Sequence, residues 1–156
     1  MRMVKMSKVN IAISACLLGK NCRYDGASKT YEKIGELKEK YNLIPICPEV
    51  LGGLSTPRVP SEIVGDKVIN KDGFDNTMYF VNGAQKALDI CIKNNCKIAI
   101  LKESSPSCGV NLIYDGSFSG KKIKGMGISS RQLKAFGIKI YTEDDIDKLL
   151  EEDINE

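Results

Sequence analysis

Short apolar runs alternate with longer amphipathic stretches along this chain. Val9 to Ser14 (VNIAIS) is apolar and β-branched, which predicts a buried first strand, and Ala15 to Gly26 behind it is a loop rich in Cys, Gly, Asn and Asp. From Lys29 to Tyr41 the residues Tyr31, Ile34, Leu37 and Tyr41 recur at helical spacing, with Gly35 as a weak point. Leu43 to Cys47 (LIPIC) reads as a second strand, although Pro45 has no ladder donor. Pro48 to Pro60 (PEVLGGLSTPRVP) carries too many helix and strand breakers for a regular element and predicts a long loop. Phe80, Ala84, Ala87, Leu88, Cys91 and Ile92 share one face of a helix between about Asp75 and Asn94, and Lys97 to Leu101 (KIAIL) is the clearest strand.

Leu112 to Gly127 predicts a short hairpin or lid, followed by a helix near Ser129 to Phe136 that stops at Gly137 and a strand at Ile138 to Tyr141. Thr142 is placed to cap a final helix whose first residues, Glu143, Asp144 and Asp145, suit the positive end of a helix dipole, with Ile146, Leu149 and Leu150 as its apolar side. Strands alternating with helices imply βαβ crossovers. The expected fold is a single Rossmann-like α/β domain over residues 1–156, with a mainly parallel sheet of about four strands flanked by helices.

Composition narrows the setting. The 156 residues, 42% hydrophobic and 28% charged, suit one globular core. No run approaches the ~20 apolar residues of a membrane span, and the basic start, Met1 to Asn10, leads into no signal-peptide core, so a cytoplasmic protein is expected. A net charge of +3 admits an anionic small molecule but does not indicate nucleic-acid binding. Six cysteines without an export signal read as reduced thiols. Histidine is absent, so a metal would be held by sulfur or carboxylate, and proton transfer falls to groups such as Glu, Ser or water.

Cys16, Cys47 and Cys108 each follow a predicted strand, and ligands of open α/β sheets bind at that carboxyl edge. Cys22 lies in the same first loop. Cys91 and Cys96, by contrast, read as small hydrophobes of the long helix and its exit. Paired C-x-x-C knuckles are missing, so spacing alone leaves a structural zinc site and an iron–sulfur cluster both open. Beside Cys108 stand Ser105 and Ser107, which without a histidine form no hydrolase triad and otherwise serve turn chemistry. Glu49, two residues past Cys47, is a candidate for orienting water or moving a proton, against the plainer alternative of a solvated loop acid. Arg58 is a candidate for an anionic substrate group, its alternative a salt bridge to Glu62. The glycine-rich Tyr114 to Gly127, with Lys121, Lys122 and Lys124, matches no phosphate-binding pattern.

Taken together and in order, Ser14 to Gly19 (SACLLG), Cys22 to Gly26 (CRYDG), Cys47 to Glu49 (CPE), Gly52 to Glu62 (GGLSTPRVPSE), Glu103 to Gly109 (ESSPSCG) and Asp115 to Gly120 (DGSFSG) resemble the thiouracil desulfidase (TudS) family. The resemblance spans about Val9 to Tyr141. It implies a [4Fe-4S] cluster bound by three cysteines, here Cys16, Cys47 and Cys108, with the fourth iron open. It also implies non-redox desulfuration of a thiolated pyrimidine through a [4Fe-5S] species, with Glu49 and Ser105 at the catalytic positions. Arg58 and Ser107 are then candidates for substrate binding, and Cys22 for a fourth ligand, a sulfur acceptor or a structural thiol. The expected partner is a small thiolated nucleobase or sulfide. The alternative is an iron–sulfur sulfur carrier that hands sulfide to a biosynthetic partner protein.

Overall fold

The computed structural model describes residues 8–18 and 33–151. The Cys22 motif, the start of the helix expected from Lys29 and its residue Tyr31 lie outside the described residues. In chain order the elements begin with β1 (Asn10–Ser14), a 3-10 turn (Ala15–Leu17), α1 (Ile34–Lys40), β2 (Asn42–Ile46) and α2 (Pro48–Leu51). Then come β3 (Ser61–Val64), β4 (Lys67–Asn70), α3 (Thr77–Lys93), β5 (Ile98–Leu101), β6 (Leu112–Tyr114) and β7 (Lys122–Lys124). The chain continues through α4 (Ile128–Ala135), β8 (Lys139–Thr142), a second 3-10 turn (Glu143–Asp145) and α5 (Ile146–Glu151).

Four strands form one parallel sheet in the order β2-β1-β5-β8, as the alternation of strands and helices predicts. Its two central strands are buried on both faces, and side-chain alternation sorts them into two cores. Ile11, Ile13, Ile98 and Ile100 pack with Ile34 and Leu37 of α1 and Ile146 and Leu149 of α5. On the opposite face Ala12, Ala99 and Leu101 meet Ala87 and Leu88 of α3 and Leu133 of α4. Pro45 is tolerated because β2 is an edge strand, where a missing donor costs no central ladder bond.

Helix α3 ends in a Schellman motif. Asn95 adopts φ +53°, its N–H reaches the Ile92 carbonyl at 3.1 Å, and the Cys96 N–H reaches the Cys91 carbonyl at 2.8 Å. Cys91 and Cys96 thereby occupy the two positions whose side chains meet in that motif, and both are buried in the second core, as small hydrophobes would be. The final helix is capped as expected: Thr142 and Asp145 exchange the reciprocal bonds of a capping box.

Two elements depart from the sequence expectation. The stretch from Pro48 opens as a helical turn, because proline at a first helical position sacrifices an N–H that has no partner there in any case. Ser61 to Asn70, given no element from the sequence, is an antiparallel hairpin closed at Gly65, whose φ of +65° suits glycine. The pair Gly65-Asp66 between the apolar-alternating SEIV and KVIN was the available signal. With β6 and β7, which pair as the expected second hairpin, this one forms a small layer packed on α3 through Ile63, Val68, Phe80 and Ile113.

The short α2 lies directly on α3. A Cβ on Gly83 would overlap the Pro48 carbonyl oxygen, and one on Gly52 the Tyr79 carbonyl oxygen. Backbone therefore packs against backbone, which sets the height of Cys47 and Glu49 above the sheet. Replacing a helical glycine by alanine ordinarily stabilises by up to ~1 kcal/mol. At Gly83 overpacking outweighs this, and Gly83→Ala is expected to lower stability by about 1–3 kcal/mol in urea denaturation. A midpoint that rises, as for an open helical glycine, would contradict this packing.

Candidate active site

Because β1 lies between β2 and β5, the sheet is extended first on one side and then on the other. The crevice at the carboxyl ends of β1 and β5 is the switch point where ligands of such sheets bind. Cys16 sits in the turn after β1, Cys47 directly after β2, and Cys108 in the loop beyond β5. All three border one cavity of about 440 Å³, and Glu49, Ser105 and Ser107 border it too. Cys22 lies outside the described residues. Among the described residues no three Cys, Asp or Glu side chains are close enough to share a single metal ion.

The thiols differ in surroundings. Burial pushes the Cys108 thiol up to about 12, hydrogen bonds from Ser14 and Ser107 oppose it, and the charges of Cys47 and Glu49 add to it. A thiol so placed becomes a thiolate when a cation replaces its proton. A soft, histidine-free set of sulfur donors, Cys16 and Cys108 buried and Cys47 half-buried, fits iron–sulfur chemistry.

Glu49 is held from two sides. Arg58 donates from Nε and Nη2 to Oε1, each at 3.1 Å. The other oxygen, Oε2, accepts from Ser107 Oγ at 3.1 Å and faces Ser105 Oγ at 3.5 Å. Ser105 Oγ already accepts the N–H groups of Ser107 and Cys108, both at 3.1 Å, so its own proton points outward, toward Ser107 Oγ at 2.9 Å. The two shorter hydrogen bonds that link Ser105 to the carboxylate therefore run through Ser107. Arg58 lines the cavity, but its side chain is only 8% exposed, and Nη1 is also bonded to the Ser55 carbonyl and Thr56 Oγ1.

The salt bridge considered between Arg58 and Glu62 is not made. Arg58 pairs with Glu49, because the carboxylate of Glu62 is taken by amides of the second hairpin, accepting from Gly116 N at 2.9 Å and Phe118 N at 3.2 Å. Lys102 also lines the cavity; its Nζ lies 2.9 Å from Glu143 Oε2, and Glu143 Oε1 accepts the Glu103 N–H at 2.7 Å.

The chain has known relatives. The family model for 2-thiouracil desulfurase matches residues 11–145. The chain belongs to that family. A protein of Bacillus subtilis (strain 168), the uncharacterized protein YbbK, is 41% identical over 150 residues, which cover 90% of this chain and 99% of that one. A solved structure of a [4Fe-4S]-dependent thiouracil desulfidase, TudS, is similar at 42% identity and a TM-score of 0.86, covering 91% of this chain and 95% of its own. The parallel sheet flanked by helices is the fold shared with that structure.

Within this 2-thiouracil desulfurase family member, Glu103, quoted in the ESSPSCG motif but given no role from the sequence, organises the loop that carries Cys108. Its Oε1 accepts the N–H groups of Val110, Asn111 and Leu112 at 2.7, 2.9 and 3.1 Å, and Oε2 accepts from Asn111 Nδ2 at 3.0 Å. It gathers the chain just after Cys108, next to Ser104, whose φ of +71° is uncommon for a residue with a side chain. An acid at the end of a fully buried strand was the one sequence signal for it. Burial raises the Glu103 carboxyl, but the bonds from Leu112, Asn111, Val110 and Ser104 outweigh that and hold it below its usual 4.5. Its stabilising contribution is therefore present above the usual carboxylate range and is lost as pH falls through the lower folded-state value. Glu103→Gln should unfold at lower urea than the wild type at pH 7, and the gap should close as pH falls from the usual carboxylate range through the lower folded-state value. A gap that stays constant through that range would remove Glu103 from this role.

Proposed function

We propose that this chain is an iron–sulfur-dependent enzyme that hydrolytically removes sulfur from thiolated pyrimidines of the 2-thiouracil type, without net oxidation or reduction. The observation that supports it is the single cavity bordered by Cys16, Cys47 and Cys108 together with Glu49, Ser105 and Ser107. The family, and the [4Fe-4S] dependence of the similar desulfidase, agree with that reading. On it, residues 1–156 act as one iron–sulfur domain in a reducing, cytoplasmic setting. No helix among the described residues is long and apolar enough to cross a membrane.

The three cysteines would hold a [4Fe-4S] cluster and leave its fourth iron without a protein ligand. When bound, that cluster supplies a thiophilic Lewis acid to polarise the C=S bond and receive the sulfur. The residues then manage protons. Overall the thiocarbonyl and one water become a carbonyl and hydrogen sulfide, so no electrons are exchanged. Glu49 Oε2 takes a proton from the water that attacks the ring carbon, and returns it as the sulfur departs. Arg58 fixes Oε1, which leaves Oε2 as the working oxygen. Ser107 passes hydrogen-bond polarity between Ser105 and that oxygen, while Ser105, locked by two backbone N–H groups, orients the water or the ring.

Anaerobic reconstitution followed by iron and sulfide analysis and a 2-thiouracil assay tests this reading. The wild type should bind about four irons and release sulfide without a partner protein. Glu49→Gln should retain that iron and lose at least ~100-fold in turnover, the usual range for a general base. Cys16→Ser should lose the iron. A colourless wild type, or undiminished turnover by Glu49→Gln, would refute the respective part. Sulfide delivered only to an added partner would favour the sulfur-carrier alternative.

A further inference from the structure

The second hairpin reaches the cavity with two aromatic side chains, Tyr114 and Phe118. Neither belongs to the hydrophobic clusters that hold the fold together. Phe118 is half-buried, and its backbone adopts φ +55°. That region is unfavourable for a bulky side chain, and glycine or asparagine would turn the chain there with less strain. The chain therefore carries the ring at a conformational cost, without using it as core.

What maintains the conformation is visible. Glu62, itself only 8% exposed, accepts the N–H groups on either side of the turn tip, from Gly116 and from Phe118. Gly116 adopts φ +92°, and a Cβ there would come within 2.8 Å of the Ile63 carbonyl oxygen, so the hairpin lies close against β3. Asp115 Oδ1 adds a bond from the Ser117 N–H at 2.9 Å. Strain over-determined by its surroundings and placed at a ligand cavity marks a functional element. The chemistry that an aromatic face offers is stacking on another planar ring.

We propose that Phe118 is a specificity-determining residue that stacks on the planar heterocycle of the substrate, and that Glu62 is the positioning residue that holds it there. This rests on the desulfurase reading for the identity of the ring and deepens it. Stacking fixes the ring plane, so the ring carbon faces the Glu49 side of the cavity and a thiocarbonyl without a ring is recognised poorly.

The test uses the reconstituted full chain under anaerobic conditions, with uracil as an unreactive ring, 2-thiouracil as substrate and thiourea as a ring-free thiocarbonyl. Phe118→Leu should weaken uracil binding and raise the KM for 2-thiouracil about tenfold, with a smaller change in kcat. Iron content should equal that of the wild type, and the constants for thiourea should not follow. Phe118→Tyr should restore binding. Glu62→Ala should reproduce the Phe118→Leu pattern and Glu62→Gln should soften it, since an amide oxygen still accepts N–H bonds; if Glu62→Ala does not fold, the Phe118 pair decides. Uracil affinity within twofold of wild type in Phe118→Leu, an equal loss for thiourea, or no uracil binding by the wild type would overturn the proposal. A wild type that binds uracil through Phe118 yet never desulfurates 2-thiouracil would instead sink the desulfurase reading and leave the stacking site standing.

Discussion

The parallel pairing of β1 with β2 on one side and β5 on the other is the constraint on which the site depends. Parallel strands deliver their carboxyl ends to one edge, so loops that begin far apart in the chain emerge side by side. The register is secured by burial on both faces: isoleucines of β1 and β5 fill one core, while Ala12 and Ala99 let α3 approach the other. A slip by one residue would exchange these sets and place bulky side chains under α3. Ser14 ties the two central strands at their ends, accepting the Lys102 N–H at 2.9 Å, and the Cys108 loop starts from that junction.

Polar groups around the cavity serve geometry more than stability. The Arg58–Glu49 pair is largely withdrawn from water, and such a pair rarely repays its desolvation against an apolar replacement. Its effect is directional: one carboxylate oxygen is anchored to the guanidinium and the other is presented to the serines. Glu62 and Glu103 do similar work on backbone, each collecting amide donors from one loop. Three carboxylates thus shape three segments of the wall that the cysteines also border.

Much of the fold was legible because its signals are local. KIAIL, the apolar face from Phe80 to Cys91, the stop at Gly137 and the Thr142 cap all depend on neighbours within a few residues. The convergence of Cys16, Cys47 and Cys108 at one cavity was legible for a different reason, since βαβ crossovers make the strands parallel and parallel strands bring their carboxyl ends to one edge. Partners set by packing were hidden. Arg58 chose Glu49 over Glu62 because a hairpin placed far along the chain occupies Glu62, and nothing near residue 58 reports that. The α2 turn was masked by the density of prolines and glycines, where Pro48 initiates a helix and Gly52 permits close crossing with α3.

The central claim is that three thiols separated along the chain grip one inorganic core and leave a single metal corner without a protein ligand. Mössbauer spectroscopy of protein reconstituted anaerobically with ⁵⁷Fe tests it most directly. One iron of the four should be distinguishable from the other three, and addition of 2-thiouracil should alter the signal of that iron alone. Four equivalent irons indifferent to 2-thiouracil, or no bound iron, would contradict it.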